Sequence, residues 1–246
     1  MKYMGSKNRI AKHILPIMLV EAEKNGITKW VEPFVGGANM IDKVPDTFAR
    51  EGYDINRYLI ALLNYSKQGG HISFDQSKQH YDDVRQCFNK GIDKYPDYYI
   101  GLVGFMASAN GRFFDGGYSG KSVTQTGAVR DYIAESIKGF SQQIPKLKDI
   151  NLYCDDYRNL LFDNSLIYCD PPYYNSKGYN KQCFNHEQFF QWCRDMRAKG
   201  NVIFVSEYNA PDDFECVWQM EVASSLSANG KQGGNKKSIE KLFKLP

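Results

Sequence analysis

The chain has 246 residues, with 31 Lys+Arg against 28 Asp+Glu, four His and a formal net charge of +3. Its 42% hydrophobic and 24% charged content supplies a core and excludes disordered and fibrous classes, and the length suits one large domain or one domain with an insertion. The longest strongly apolar stretch, 14–20, is broken by Pro16 and falls well short of the ~20 residues a bilayer helix needs; the opening MKYMGSKNRI has no apolar signal core, so no membrane segment and a cytoplasmic location are expected.

In chain order, Ser6 is placed to cap a helix whose apolar Ile10, Ile14, Ile17 and Met18 recur at helical spacing, and Asn25-Gly26 ends it. Residues 28–32 read as a short strand that runs straight into Pro33-Phe34-Val35-Gly36-Gly37-Ala38, and 48–53 as a second strand ending in Asp54-Ile55-Asn56. From 59 to about 145 the pattern is less regular and more helical, dense in Tyr, Phe and Gly over 95–120. Strand signals return at 151–154, 166–169, 201–206 and 216–220, with an amphipathic helix over 187–198. Strands alternating with helices predict a parallel α/β sheet, interrupted by the middle segment. The six cysteines form no CxxC pair and have no His at ligand spacing, so reduced thiols and no metal site are expected. The four histidines are read as structural.

Three sites follow from this layout. Glycines directly after a strand, as at Gly36-Gly37, let the chain turn tightly and bring backbone N–H groups against a ligand. Asp54 stands 18 residues after Gly36 at the next strand end, where a carboxylate accepts from both hydroxyls of a ribose; a nucleoside-bearing cofactor is implied, and the missing GxGxxG counts against NAD or FAD. The second site is Asp170-Pro171-Pro172-Tyr173, after the apolar 166–169. Two prolines remove backbone donors and stiffen the turn, so a carboxylate, carbonyls and a ring are held together. A planar amine can give its N–H groups to Asp170 and the Pro171 carbonyl while Tyr173 stacks on it, which leaves the nitrogen lone pair to attack an electrophilic methyl. A rigid turn with an incidental acid is the alternative. The third is Asp155-Asp156-Tyr157, where an acid at a strand end can accept from an adenine amino group; a surface turn is equally consistent with it.

With EPFVGGA, YDIN, DDY and DPPY in this order, the chain resembles the Dam-like family of DNA adenine-N6 methyltransferases over nearly its whole length outside the middle segment. The resemblance implies a Rossmann-like S-adenosylmethionine-dependent methyltransferase sheet with a mostly helical target-recognition insertion: a catalytic domain of 1–58 and 146–246, and an insertion of 59–145. It implies S-adenosylmethionine as cofactor, with Tyr3 and Lys7 of the N-terminal motif bordering it, Phe34, Gly36 and Asp54 on it, and Asp156-Tyr157 at its adenine. It implies that Asp170, Pro171 and Tyr173 hold the target adenine, and that the basic tail ending SANGKQGGNKKSIEKLF is a folded strand pair. Ser206-Glu207-Tyr208 departs from the Ser-Asn of many relatives, and Glu207 is left without a role.

The 59–145 segment is nearly balanced in charge, so base reading has to come from few groups. Asn110, Arg112 and Phe113 are the candidates: Arg addresses guanine, Asn pairs with adenine, and Phe can wedge between base steps. The alternative makes Phe113 and Phe114 core residues. Lys121 and Arg130 are candidate phosphate contacts. The Asn-Gly-x-x-Arg-aromatic-Asn pattern of many relatives is absent, which argues against GATC as the recognition sequence. Residues 174–180, aperiodic and polar, are expected to form a flexible loop over a flipped base, with Tyr179 as a second stacking face. Double-stranded DNA is the expected partner of a monomer, with a cognate restriction endonuclease as a further candidate. Cytosine N4, RNA adenine and a glutamine amide are rival acceptors for the same turn, and a DNA-binding module without catalysis is the rival from another class.

Overall fold

Nine strands and six α-helices make up the regular structure of the residues described by the computed structural model, which are 1–124, 126–173, 184–223 and 237–246. The strands are β1 (Lys29–Glu32), β2 (Ala49–Asp54), β3 (Lys121–Val123), β4 (Val129–Asp131), β5 (Ile150–Cys154), β6 (Leu166–Cys169), β7 (Val202–Glu207), β8 (Glu215–Ala223) and β9 (Lys237–Leu245). The helices are α1 (Ala11–Lys24), α2 (Arg57–Lys67), α3 (Lys78–Lys90), α4 (Asp97–Met106), α5 (Tyr132–Gln143) and α6 (His186–Ala198).

Seven of the strands form one sheet in the order β5-β2-β1-β6-β7-β9-β8. The parallel pairings are β2 with β5, β1 with β6, and β6 with β7. Every residue of β6 and of β7 is buried, as parallel strands covered on both faces require. The end of the chain returns antiparallel: β9 lies between β7 and β8, so the basic tail is sheet where it is described. The strand order reverses at β1/β6, and in open parallel sheets ligands collect at the carboxyl ends of the strands at such a point. This is a Rossmann-like α/β architecture.

The residues group into two units, one of 1–11, 35–46 and 50–156, the other of 12–34, 47–49 and 157–246. In the first, α2 and α4 approach closely enough that a Cβ on Gly101 would lie 2.2 Å from the Tyr58 carbonyl oxygen. Tyr81, Val84, Ile100, Val103, Ala107, Phe114 and Ile133 make a buried cluster there. The 59–145 segment is helical as expected, with one addition: β3 and β4 pair as a hairpin (Ser122 opposite Arg130). Its strands are short and almost wholly exposed, so no alternation of apolar and polar residues announces them.

The N-terminal helix begins later than Ser6 suggests. The Ser6 side chain accepts from Asn8 N–H and caps a 3-10 turn, Lys7–Arg9, and α1 starts at Ala11. Its buried stripe is Ala11, Ile14, Leu15, Met18 and Ala22, with Ile17 only half-buried. Around the central strands, Trp30 packs against Tyr168 and Phe48, while Phe189, Cys193 and Met196 of α6 are buried. Asn201 joins strand and helix ends by donating to the Phe162 and Met196 carbonyls and accepting from Ser165 N–H.

Candidate active site

After β1 the chain enters the glycine turn. Val35 donates its N–H to the Tyr53 carbonyl at 2.8 Å, which holds the turn against the end of β2. Gly36 takes φ +49°, a left-handed conformation that favours glycine. Its N–H donates to Asp54 Oδ2 at 3.1 Å, and Asn56 N–H donates to Oδ1 at 2.8 Å. Asn56 in turn caps α2 by accepting from Tyr58 and Leu59 N–H. Burial pushes the Asp54 carboxyl up to about 6, against the pull of its two backbone donors.

Tyr3 lies on this turn: a Cβ on Gly36 would sit 2.8 Å from its ring, and one on Gly37 would sit 2.7 Å from Tyr3 Cβ. The ring also tilts against Phe105 at 5.8 Å between centroids. Lys7 is buried and donates through Nζ to the Gly5 carbonyl at 3.1 Å. The pairing of Asp54 with Cys154 brings the 155–157 turn to the same strand ends, where Asp155 N–H donates to the Asp54 carbonyl and Asp156 N–H to Asp155 Oδ1. These residues fit a nucleoside-bearing methyl donor. The glycine turn is a cradle that a Cβ would obstruct, and an ionised carboxylate has about four lone-pair sites, so Asp54 keeps acceptor capacity beyond its two N–H donors.

In the second unit, Phe34 and Tyr157 lie 5.2 Å apart in an aromatic cluster with Phe184 and Phe189. Tyr157 is buried there. Glu32, at the end of β1, is buried and accepts from the Trp30 indole at 2.9 Å.

The 170–173 turn follows the wholly buried β6. The register Cys169↔Val205 sets Asp170 and Ser206 at matching strand ends, and the Tyr168 hydroxyl meets Ser206 Oγ at 2.8 Å. Pro171 and Pro172 carry no N–H, so the turn is rich in acceptors and poor in donors. The Tyr173 hydroxyl donates to Glu240 Oε2 at 2.9 Å, and its ring meets Tyr208 edge-on at 4.7 Å. Burial, with the Asp170 and Glu240 charges, holds the Tyr173 phenol well above its usual range, so it stays a donor. Such a turn can receive a planar amine: acceptors for both N–H groups and a fixed ring for the plane.

Glu207, fully buried at the end of β7, accepts from Tyr208 N–H at 2.5 Å and stands 3.9 Å from His186 Nδ1. Burial lowers the His186 imidazole below its ordinary value. Both line a cavity of about 710 Å³ with Gln188, Phe190, Arg194 and Asn209.

The base-reading candidates sit on a tight loop. Asn110 and Phe114 have φ +58° and +55°, and Gly111 packs on the N-terminal motif, where a Cβ would lie 2.3 Å from the Lys2 carbonyl oxygen. Arg112 is half-buried with its Nε sequestered and unbonded. Phe113, expected as a wedge, places its ring among Tyr58, Phe88, Phe105 and Phe114 at 4.9–5.7 Å, so its area is used in packing, as is that of buried Phe114. The phosphate candidates have acidic neighbours: Lys121 is 3.8 Å from Asp131, and Arg130 holds Glu135 through two hydrogen bonds of 2.8 and 2.6 Å. Tyr179 and the 174–180 loop lie outside the described residues. Sequence reasoning missed Asn56, Tyr208 and Glu240; the N-cap spacing after Asp54 could have found the first, but nothing local marks the other two.

Among the described residues no cluster of His, Cys, Asp and Glu is placed to hold a metal ion, and no helix is long and apolar enough to cross a membrane. No curated protein matches the chain. Among solved structures it is similar to the rRNA methyltransferase AviRa from Streptomyces viridochromogenes, with 11% identity, 97% of this chain and 84% of that chain covered, and a TM-score of 0.41. The family described as D12 class N6 adenine-specific DNA methyltransferase matches residues 3–200. That span runs from Tyr3 through the glycine turn and Asp54 to the 170–173 turn and α6, and it makes the chain a member of the D12 class of N6 adenine-specific DNA methyltransferases.

Proposed function

We propose that this enzyme methylates N6 of an adenine that has left the stack of double-stranded DNA, at a specific sequence, with S-adenosylmethionine as donor. The observation that carries the reading is the 170–173 turn, rich in acceptors, at the end of the buried β6. Inside a duplex the adenine amine is paired, so the base must be extruded at a cost of a few kcal/mol, offset by new stacking and hydrogen bonds. Asp170 and the Pro171 carbonyl take the two N–H groups of the amine, which concentrates the lone pair on nitrogen, and Tyr173 stacks on the base.

When bound, S-adenosylmethionine supplies an electrophilic methyl group. Ionised Asp54 accepts from the ribose hydroxyls, Gly36 and Gly37 admit the ligand against the backbone, Tyr3 and Lys7 border it, and Asp156 accepts from its adenine. Phe34 and Tyr157 are assigned to the same cofactor by the family resemblance. Arg112 and Asn110 read bases from the left-handed loop, and Lys121 and Arg130 exchange their acidic neighbours for phosphates. Nucleoside digestion and mass analysis of treated DNA test the reading: N6-methyladenine is expected, whereas N4-methylcytosine, label confined to RNA, or cofactor binding without turnover on any DNA would each replace it by a rival.

A further inference from the structure

We propose that Glu240 is a positioning residue for methyl transfer, fixing the ring of Tyr173 in the orientation that receives the target base. The inference rests on the reading that Tyr173 stacks on that base. Residue 240 is far from 173 in the chain, and topology brings them together. β9 runs antiparallel to β7 with Lys241 opposite Glu207, so Glu240 comes to the carboxyl end of the strands, where the 170–173 turn begins.

The prolines fix φ at 171 and 172 but do nothing to restrain the side-chain torsions of Tyr173. Contacts with Tyr208 and Glu240 restrain them. Tyr208 meets the ring edge-on at 4.7 Å, and Glu240 Oε2 accepts the phenol O–H at 2.9 Å. A hydrogen bond to an ionised acceptor is shorter and about twice as strong as a neutral one. The sheet does not need this carboxylate for its own pairing, since Glu240 keeps its register through the backbone opposite Met220. The bond therefore orders a stacking platform before the base arrives, and its loss should appear in transfer from DNA and leave cofactor affinity alone.

The test uses the full chain, a duplex containing its recognition site, saturating cofactor and tritium-methyl transfer, with cofactor Kd measured separately. E240A is expected to lower kcat/KM for DNA about tenfold, and E240Q, which keeps an acceptor oxygen, to recover most of it. Y173F should match E240A, and the double variant should be no worse than either single one, as for two halves of one contact. An E240A rate equal to that of active wild type, multiplicative losses in the double variant, or a parallel loss of cofactor affinity overturns the inference while the proposed function stands. Should E240A fail to fold, Y173F decides: a comparable loss supports the inference, and a wild-type rate overturns it. Wild type that yields no N6-methyladenine overturns the proposed function and this inference with it.

Discussion

The backbone N–H of Gly36 donates to Asp54 Oδ2 at 3.1 Å across 18 residues of sequence, so the glycine turn and the acid at the end of β2 are one structure. The acid proposed to hold a ribose also holds the glycine turn in place. Its protonation state therefore matters to both.

Burial raises the Asp54 carboxyl to about 6, so cofactor affinity should be flat above pH 7 and fall below pH 6 by up to about tenfold per pH unit as the acceptor is protonated. The stability consequence has the opposite sign. The unfolded carboxylate titrates near 3.9, so between about pH 4 and 6 the native state binds the extra proton and stability declines as pH rises, by on the order of 1–3 kcal/mol in all. Calorimetric titration of cofactor between pH 5 and 8 checks the first part, and denaturant midpoints across pH 4–7 the second. Affinity that does not change with pH would remove Asp54 from the cofactor.

Gly37→Ala places a Cβ 2.7 Å from both Tyr3 Cβ and Asn39 Nδ2. Neither neighbour is the far end of a long flexible chain, so the turn and the N-terminal motif must separate, at about 1–3 kcal/mol of stability. Cofactor affinity should fall with it. Wild-type cofactor affinity in G37A would mean that the contact between Tyr3 and the turn does not shape the site.

Helix packing gives a prediction away from the chemistry. Gly101→Ala would set a Cβ 2.2 Å from the Tyr58 carbonyl oxygen, and rigid backbone cannot yield as a side chain can, so a loss of about 2–4 kcal/mol is expected. Urea denaturation measures it. A change below about 0.5 kcal/mol would mean that α2 and α4 can part freely.

On DNA, Arg112→Ala should relax discrimination at one base position by about 1–3 kcal/mol and leave cofactor binding intact. Arg130→Ala should instead weaken all sequences alike and reduce the salt slope by about 1. Binding of randomised duplexes at several salt concentrations distinguishes the two. A uniform loss from R112A would place Arg112 on the backbone rather than on a base.

Much of this was legible in the sequence because the decisive residues lie at the ends of strongly apolar strands. β6 was read from end to end, and EPFVGGA and DPPY stand at the ends of β1 and β6. The start of α1 was not legible, since Ser6 caps a 3-10 turn first. The hairpin of β3 and β4 escaped because exposed three-residue strands carry no pattern. Phe113 illustrates the limit of composition: an aromatic beside Arg112 suits DNA or a core equally, and four neighbouring rings give it to packing. Glu240 was invisible because only the antiparallel return of β9 brings it to Tyr173, and Tyr208 because it reaches that ring only through the pairing of β7 with β6.

In the proposed reaction the 170–173 turn holds the adenine amine for methyl transfer. The most direct test of that role compares Asp170→Ala with wild type in tritium-methyl transfer to duplex DNA, with nucleoside mass analysis and cofactor Kd measured on both proteins. Wild type should deposit N6-methyladenine, while D170A should bind cofactor normally and lose transfer by on the order of a thousandfold or more. Substantial transfer by D170A, or wild-type label on cytosine, would rule out that role for the turn.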